Sequence, residues 1–521
     1  MAPPPASQAE LTAAALDHAH VWHPFTPMRQ WREADPMVVD SAEGFYLIDE
    51  QGNRYLDGVS SLWCNVHGHR VPAIDDAIRK QLDKVAHSTM LGLTHGPAAQ
   101  FAHQLIGRIN RHVPDTIDPQ DKLNKVFYSD AGATAVEVAF KMAVGYWHHN
   151  GRPEKNRFIG LAGAYHGDTT GTMSVGYSEL FHKPFVSMVF DVTSFPAPDA
   201  LRNDIEMDQR LFSELLSGND QSLSDGKSID NNELQWPSEC KAYGSNLGYR
   251  CICHLEKILK EQAHETAAIC LEPVMQGAAG MVCQQPGFVV AVARLAKKYD
   301  VLLILDEVAT GFGRTGELFA FESEAELSQS YPDQDLDFCF TGPDILCLAK
   351  GITGGYLPLA ATVCSDKIEE AFAGELSERK TLYHGHTYTG NPLACAAAIA
   401  SLERFDQPHG DSPDLITHTK RSAERIADRL NALRGNPGVL DIRQRGLMVG
   451  IELGQRDAEG NVEPFNFANP IGKQVCDALR PEGILIRPLG NVVVLMPPPA
   501  MPLGLIDELV SKTVAAIQRL S

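Results

Sequence analysis

The sequence predicts an α/β protein in which a large domain, built on a mainly parallel sheet, is joined to a smaller α+β domain. Through the middle of the chain, short apolar runs alternate with amphipathic helical runs, as at 301–305 and 287–299. Apolar strands connected by helices form parallel sheets that are covered on both faces. Toward the end, a long helical run at 414–433 precedes several strand-like runs and a closing helix, which is typical of an α+β unit.

Each predicted element rests on its own apolar pattern. The first strand, 125–129, precedes a run at 131–147 in which apolar residues recur at helical spacing. The other strands predicted for the large domain are 157–160, 267–271, 301–305, 345–348 and 360–363. The small domain is predicted to contain strands 442–446, 448–453, 485–487 and 492–496 and a helix at 502–517.

These elements divide the chain into three parts. We expect residues 1–85 to join the small domain, 86–375 to form the large domain and 376–521 to form the rest of the small domain. Two segments interrupt the pattern, because 200–249 is rich in Ser, Asp and Asn and 323–341 is acidic. Both are predicted to be insertions, the first a surface excursion or a partly disordered loop.

The charge balance limits the partners. Forty-five Lys and Arg residues against 66 Asp and Glu residues give a net charge of −21, which argues against nucleic acid and anionic membranes. No apolar run reaches about 18 residues, and the first ten residues lack the features of a secretory signal. The 11 cysteines show no zinc-site spacing. We therefore expect a cytoplasmic protein without a membrane span or a metal.

An acidic pair follows one of the predicted strands. Asp306 and Glu307 end the apolar run at 301–305 and precede a glycine-rich loop, 311–316. Carboxyl ends of parallel strands are where open α/β sheets bind ligands. A helix cap or a metal carboxylate would also place an acid here, but a cap does not explain the loop. Arg314 in this loop could bind a carboxylate, although a structural role is the favoured interpretation.

A lysine follows another predicted strand. Lys350 follows the apolar run at 345–348 after a single residue and precedes Gly351, Gly354 and Gly355. Most lysines are solvated surface charges, but a lysine in this position is partly desolvated, so its neutral amine can act as a nucleophile. A carboxylate and a lysine at two strand ends are what a pyridoxal 5'-phosphate (PLP) site requires, since one holds the ring nitrogen protonated and the other bonds the aldehyde.

A turn at 129–134 is a candidate phosphate cradle. It links the strand at 125–129 to the following helix, whose N-terminus offers N–H groups without partners. Gly132 lets the backbone approach an anion closely. Many strand–turn–helix joints share this pattern, so by itself it is a weak signal.

Beyond these features, the chain resembles the class-III, fold-type-I aminotransferases over nearly its whole length, apart from the two insertions. The residues that carry the resemblance are 22–25 (WHPF), 60–63 (SSLW), 87–95 (HSTMLGLTH), 164–168 (AYHGD), 271–273 (LEP), 306–316 (DEVATGFGRTG) and 389–397 (TGNPLACAA). The YHGD tetrapeptide and the pair Arg487-Pro488 favour the branch that makes 7,8-diaminononanoate for biotin biosynthesis.

The resemblance implies a role for each cofactor residue. Asp306 would pair with the pyridine nitrogen of PLP, Lys350 would bond its aldehyde and Tyr165 would lie against the ring. Backbone N–H groups of Gly132 and Ala133 would bind the phosphate. Residues of a second subunit would reach the same phosphate, which implies a homodimer with shared active sites; these residues are His386 and Thr387.

The resemblance also implies a substrate pocket for a small-molecule amino donor and a keto-acid acceptor. Trp63 would wall the pocket and Arg487 would bind the carboxylate of 8-amino-7-oxononanoate. Phe25 and Gly385 would line it together with Tyr165 and Lys350. The resemblance implies S-adenosylmethionine as the amino donor. Lysine is the alternative, because Phe25 and Val494 stand where well-known members that use S-adenosylmethionine have tyrosines.

Two other functions remain open at the level of sequence. The runs at 385–388 (GHTY) and 24–26 (PFT) also occur in class-III enzymes that transfer amino groups between an ω-amino acid and pyruvate. A non-catalytic protein with this fold is the other alternative, against which the presence of Lys350, Asp306 and Tyr165 argues.

Overall fold

The computed structural model describes residues 12–198, 245–330, 338–457, 462–463, 466 and 469–520. Most of the insertion predicted at 200–249 lies outside these residues, and its last part begins a helix at Ser245. The insertion predicted at 323–341 is helical as far as Ser330, and residues 331–337 lie outside the described part.

Short strands alternate with helices along the described chain. The strands are β1 (Val39–Glu43), β2 (Tyr46–Asp49), β3 (Arg54–Asp57), β4 (Leu123–Ser129), β5 (Arg157–Leu161), β6 (Thr193–Phe195), β7 (Thr266–Leu271), β8 (Met275–Gln276), β9 (Val282–Cys283), β10 (Leu302–Asp306), β11 (Ile345–Leu348), β12 (Ala360–Ser365), β13 (Val439–Arg445), β14 (Met448–Leu453), β15 (Ile484–Leu485), β16 (Arg487–Leu489) and β17 (Val492–Leu495).

The helices connect and cover these strands. They are α1 (Ala13–His20), α2 (Met28–Glu33), α3 (Ser60–Trp63), α4 (Pro72–Leu82), α5 (Gly96–Ile109), α6 (Gly132–His149), α7 (Thr170–Val175), α8 (Glu179–His182), α9 (Ser245–Gln262), α10 (Phe288–Lys298), α11 (Phe321–Ser330), α12 (Asp366–Glu370), α13 (Pro392–Glu403), α14 (Leu415–Leu430), α15 (Ile471–Leu479) and α16 (Leu503–Leu520). Short 3₁₀ turns occur at Pro119–Asp121, Lys183–Met188, Lys350–Thr353, Leu376–Glu378, Arg404–Asp406, Asn431–Leu433 and Arg480–Glu482.

A seven-stranded sheet organises the large part of the chain, in the order β4-β12-β11-β10-β7-β5-β6. The pairs from β11 to β6 are parallel, so the prediction of a mainly parallel α/β sheet is confirmed. β12 runs antiparallel to both of its neighbours. The reason is that the segment from β11 to β12 contains a single 3₁₀ turn and lacks the helical crossover that a parallel connection needs.

Side chains of the sheet alternate between two hydrophobic layers, as the period of a strand requires. In β10, Leu303 and Leu305 belong to the layer that includes α10. Leu302 and Ile304 belong to the opposite layer, which includes α6. Because the sheet is covered on both faces, its parallel strands read as continuous apolar runs, and this is the signal by which the sequence predicted them.

Two further four-stranded sheets are present, and one of them brings the two ends of the chain together. One is antiparallel, with the order β13-β14-β17-β16, and the other has the order β1-β2-β3-β15. In the second sheet β15 pairs parallel to β3, with Ile484 opposite Leu56. Both of these residues are fully buried in a core that also includes residues of α14 and α16. The domain boundaries given above stay a prediction.

Two properties of the described residues bear on the class of protein. Within the part of the chain that the structure covers, no helix combines the length and the apolar character needed to cross a membrane. Over the same residues, no group of three or more His, Cys, Asp or Glu side chains has the arrangement of a metal site.

Candidate active site

A cavity of about 650 Å³ opens at the carboxyl ends of the central strands. The ends of β10 and β11 supply Asp306 and Lys350, and the start of α6 supplies Gly132 and Ala133. This is the position at which open α/β sheets bind ligands. Trp63 and Tyr165 also line the cavity, so six of the predicted site residues meet there.

Asp306, the last residue of β10, is held by two hydrogen bonds. The Val308 N–H donates to Oδ1 at 2.9 Å and His166 Nδ1 donates to Oδ2 at 2.7 Å. His166 Nε2 lies 3.7 Å from the Cys270 sulfur. Burial by itself lowers the pKa of His166, but the neighbouring Cys270 and Asp306 outweigh burial and raise this pKa well above its usual value. The hydrogen bond from His166 stabilises the Asp306 carboxylate.

His166 is a site residue that the sequence reasoning missed. The YHGD tetrapeptide was used as a family marker, and Tyr165 was the residue singled out from it. The available signal was a histidine five residues beyond the end of the apolar strand β5, where an uncompensated polar group is costly and a partner is expected.

Lys350 is placed at the cavity by the chain reversal between β11 and β12. Its φ of 44° lies in the left-handed region, which is uncommon for a residue other than glycine. Lys350 Nζ lies 4.7 Å from the centroid of the Trp63 ring. Burial lowers the pKa of Lys350, against the opposing effects of Asp306 and Glu272. The lowered pKa favours the neutral, nucleophilic amine.

The start of α6, where the anion cradle is predicted, lines the cavity with Gly132 and Ala133. The first N–H groups of a helix have no partner within the helix and carry the positive end of its dipole. A Cβ atom on Gly132 would lie 2.5 Å from Val308 Cγ1, so a larger residue does not fit without displacing Val308. Because residue 132 is a glycine, the start of α6 lies directly against Val308 and close to Asp306. A ring that carries a phosphate fits this arrangement of a helix N-terminus beside a carboxylate.

Tyr165 and Glu272 form one wall of the cavity. Tyr165 donates its hydroxyl hydrogen to Asp168 Oδ2 at 2.8 Å, and its backbone N–H donates to Glu272 Oε2 at 3.2 Å. Glu272 also accepts the Gly277 N–H at 2.9 Å. Burial raises the pKa of Glu272 to about 7. Glu272 is a second residue that the sequence reasoning used only as a family marker.

Trp63, which ends a left-handed turn, also lines the cavity. Ser60, Ser61, Leu62 and Trp63 form α3 and have φ values of 53°, 53°, 92° and 68°. L-residues pay roughly 1–2 kcal/mol each for this conformation. The Trp63 side chain is 8% exposed and packs beside Gly277, so the strained turn delivers a nearly buried ring to the cavity.

Five predicted residues do not line this cavity. Phe25 is 64% exposed and contacts Phe181, with 6.0 Å between the ring centroids. Arg487 is an exposed residue of β16. The other three lie in the loop that precedes α13, where Gly385 and Thr387 are exposed and His386 is half-buried. Within one chain, the structure therefore brings together the predicted cofactor residues of the large sheet but not these five.

The chain is similar to known proteins over most of its length. Residues 28–517 match the family model described as aminotransferase class-III. The adenosylmethionine-8-amino-7-oxononanoate aminotransferase of Geobacter sulfurreducens is 41% identical over 494 residues, which are 95% of this chain and 94% of that protein. The relative of the same name from Aquifex aeolicus is 41% identical over 487 residues, 94% of this chain and 93% of that protein.

Solved structures agree with this similarity. The crystal structure of the adenosylmethionine-8-amino-7-oxononanoate aminotransferase of Methanocaldococcus jannaschii superposes with a TM-score of 0.79 at 37% identity, covering 98% of this chain and 99% of that one. A PLP-bound amine transaminase from an uncultivated Pseudomonas species has a TM-score of 0.78 at 29% identity, covering 96% and 98%. With the family match, these similarities establish that the chain belongs to the class-III aminotransferases and is a PLP-dependent transaminase.

Proposed function

We propose that this transaminase converts 8-amino-7-oxononanoate to 7,8-diaminononanoate in biotin biosynthesis, with S-adenosylmethionine as the amino donor. The observation that carries the proposal is the similarity, over more than nine tenths of the chain, to relatives that bear the name of this reaction. The cavity supports it, since Lys350, Asp306 and a helix N-terminus lie together at the carboxyl ends of the strands.

Each residue of the cavity has a defined task in this proposal. The N–H groups at Gly132 and Ala133 bind the cofactor phosphate, and Asp306, supported by His166, holds a proton on the ring nitrogen. When bound, PLP supplies an electron sink for the negative charge that develops on the amine carbon. As a neutral amine, Lys350 would take the proton from this carbon and pass it on within the same half-reaction, and in the second half it would carry a proton in the reverse direction, onto the carbon that receives the amino group. Trp63 and Tyr165 limit access of water.

Replacement of Lys350 tests this assignment. We expect Lys350→Ala to lose both the visible absorbance of the lysine-bound cofactor and turnover, because Lys350 is the only lysine among the described residues that line the cavity. Lys125→Ala is the control, since Lys125 is a half-exposed residue of β4 that pairs with Asp366. Normal turnover of the Lys350→Ala protein would contradict the assignment.

The amino donor is tested separately by half-reactions. The PLP form is mixed in turn with S-adenosylmethionine, lysine and alanine, and the loss of visible absorbance is followed. We expect S-adenosylmethionine to bleach the enzyme. Bleaching by lysine would identify lysine as the donor instead. Bleaching by alanine would favour the ω-amino acid–pyruvate reaction that the sequence left open.

Arg487 is proposed to bind the carboxylate of the keto acid. Its exposed guanidinium on β16 has room for a bidentate ion pair. Loss of a charged hydrogen bond of about 2–3 kcal/mol would raise the KM for oxononanoate on the order of 100-fold. Arg487→Ala should show this rise, while the exposed Arg480→Ala should not. An equal loss in both variants would overturn the assignment.

We further propose a homodimer whose active sites are shared, in the cytoplasm. Phe25, Gly385, His386 and Thr387 lie outside the cavity of their own chain, which is consistent with a role in the site of a second copy. The chain also has large exposed apolar side chains near 91–93 and 376–388, which suit an interface; they are Leu91, Leu93, Leu376, Tyr383 and Tyr388. Cys270, Cys347 and Cys395 are buried outside disulfide bonds, as is usual in a reducing compartment.

A mixing experiment tests the shared site. Lys350→Ala and Thr387→Ala subunits are each expected to be inactive as homodimers. Subunit exchange between them should restore up to one working site per mixed dimer, since one site then carries both native residues. Failure to recover activity, with mixed dimers present by mass, would contradict the shared site.

A further inference from the structure

We propose that Arg314 is a positioning residue that holds the left-handed turn α3, and through it the Trp63 ring, against Lys350. The proposal deepens the proposed function, on which its kinetic consequences rest. Arg314 belongs to the loop after β10 and is itself 1% exposed, so it does not touch a substrate in the cavity.

The turn that carries Trp63 requires external support. Its four consecutive residues all have positive φ, and none of them is glycine. Such conformations persist only where surrounding groups determine them, and they concentrate at functional sites. Without that support, Ser60–Trp63 would relax toward ordinary right-handed or extended conformations, and the direction of the Trp63 side chain would change.

Arg314 supplies much of this support from one buried guanidinium. Nη1 donates to Ser60 Oγ at 2.9 Å, at the first residue of the turn. Nη2 donates to the Asn65 carbonyl oxygen at 2.7 Å, just beyond the last residue. Nη1 also donates to the Pro497 carbonyl oxygen at 2.9 Å. The planar fork therefore spans the turn and ties both of its ends to the segment after β17.

Two other contacts fix the same turn. Asp57, at the end of β3, accepts the Ser61 N–H at 2.9 Å and the Ser61 hydroxyl at 2.7 Å. Gly355, with a φ of 90°, brings the loop after Lys350 so close that a Cβ atom there would lie 2.8 Å from Asn65 Cα. The turn is thus enclosed by β3, by the loop after β10 and by the loop of the reactive lysine.

The consequence concerns the geometry of the cavity. Trp63 contacts the amine of Lys350 with its ring and packs on Gly277 with its edge. A shift of α3 would move the ring relative to the atom that transfers the proton. Arg314 is therefore expected to affect how a substrate is held beside Lys350, without taking part in a chemical step.

A double-mutant cycle tests this coupling. Arg314→Lys keeps the charge but loses the fork, and Trp63→Phe removes the reporter ring. We expect Arg314→Lys to raise the KM for the amino donor about tenfold with kcat changed less than about threefold. In the double variant the KM should equal that of Trp63→Phe alone. The reason is that Arg314 acts on the KM only through the Trp63 ring, so the effects of the two substitutions are not additive. Effects that multiply would overturn the proposal.

A fluorescence measurement tests the effect of Arg314 on the Trp63 ring without any substrate. The contribution of Trp63 to the emission of the PLP-free protein is the difference between proteins with and without Trp63→Phe. We expect Arg314→Lys to shift this contribution to the red, since the ring gains contact with water. An unchanged Trp63 contribution would overturn the proposal, even if the enzyme proved to act on another keto acid.

Two further variants separate positioning from folding. Arg421→Lys is the matched control, because Arg421 Nη1 also donates to a serine hydroxyl, that of Ser412 at 2.9 Å, but on α14. It should leave both the KM and the Trp63 emission unchanged. If the Arg314→Lys protein does not fold, Ser60→Ala is used in its place, since it removes the hydroxyl that accepts the hydrogen bond from Arg314. An unaltered KM and emission in Ser60→Ala would count against the proposal.

Discussion

At the scale of the residue, the site depends on close approaches that leave room for one side chain only. Gly132 is the clearest example, since its missing Cβ is what allows Val308, beside Asp306, to reach the start of α6. The conformational freedom of glycine is secondary here, because the constraint comes from the neighbouring side chain.

Gly132→Ala should therefore weaken cofactor binding. The added Cβ at 2.5 Å from Val308 Cγ1 forces the helix end away from the ring site, and we expect the Kd for PLP to rise about tenfold or more. The Kd is measured by absorbance titration of the PLP-free protein. Gly107→Ala is the control, because that position in α5 has no heavy atom within 4 Å and tolerates the methyl group; an equal Kd for both variants would contradict the prediction.

The sequence predicted some of these residues and missed others for a physical reason. Asp306 and Lys350 were predictable because each follows an apolar strand, and strand ends of a parallel sheet meet at one edge. His166 and Glu272 lie at the same edge, but the site residues that they contact, Asp306 and Tyr165, are more than 100 residues away from them in sequence. Positive φ at Ser60–Trp63 has no local signal at all, since none of these residues favours it.

At the scale of the element, acidic residues that look like surface charge can serve as caps for other helices. The acidic run at 323–341 was predicted to be an insertion, yet it begins within α11 (Phe321–Ser330), where Glu324 is 3% exposed. Its carboxylate accepts the N–H groups of Gly287, Val289 and Val290 at the start of α10. Burial raises the pKa of Glu324, and these N–H groups oppose the rise.

Glu324→Ala should destabilise the protein through α10. The substitution leaves three N–H groups at the start of α10 without their acceptor. Hydrogen bonds to a charged group such as a carboxylate contribute roughly 1.5–3 kcal/mol to the free energy of unfolding. The loss is measured by urea denaturation. Glu326→Ala, two residues further along α11 at an exposed position, should lower the free energy of unfolding by less than about 0.5 kcal/mol. Similar losses at both positions would show that Glu324 does not act as a cap.

At the scale of the whole molecule, a buried histidine connects the N-terminal part of the chain to its C-terminal part. His67 is fully enclosed between the turn after α3 and α13, with Nε2 3.0 Å from the carbonyl oxygen of Ser401. Burial, together with the nearby Arg404, lowers the pKa of His67 from 6.5 to about 3. The unfolded chain therefore binds a proton at this residue at a higher pH than the folded protein does.

This shift predicts how stability depends on pH. Between pH 6.5 and 3 the unfolded state binds more protons at His67, so the free energy of unfolding falls as the pH falls. From pH 7 to pH 5 the contribution of His67 is about 2 kcal/mol. His67→Gln should be less stable at pH 7 but lose correspondingly less on acidification in urea titrations. His20→Gln, at an exposed position, should keep the slope of the native protein; a His67→Gln protein with that same slope would refute the prediction.

Sequence patterns also gave the fold at this scale in outline. The continuous apolar strands and the long C-terminal helix predicted both kinds of domain, because burial on two faces leaves a clear signal. The antiparallel orientation of β12 was not predictable from its own apolar residues, which look the same in either direction. It follows from the short chain reversal that carries Lys350, a feature that links the topology of the sheet to the position of the amine.

The pairing of β3 with β15 has a consequence for synthesis of the protein. Leu56 emerges from the ribosome long before Ile484, its partner in the sheet. At about 5–20 residues per second, the N-terminal strands wait on the order of 20 to 90 seconds with an unpaired edge. During that time the nascent chain exposes β3 as a template for other strands. We therefore expect that chains arrested before residue 484 are recruited by chaperones or aggregate, whereas completed chains close this edge on themselves.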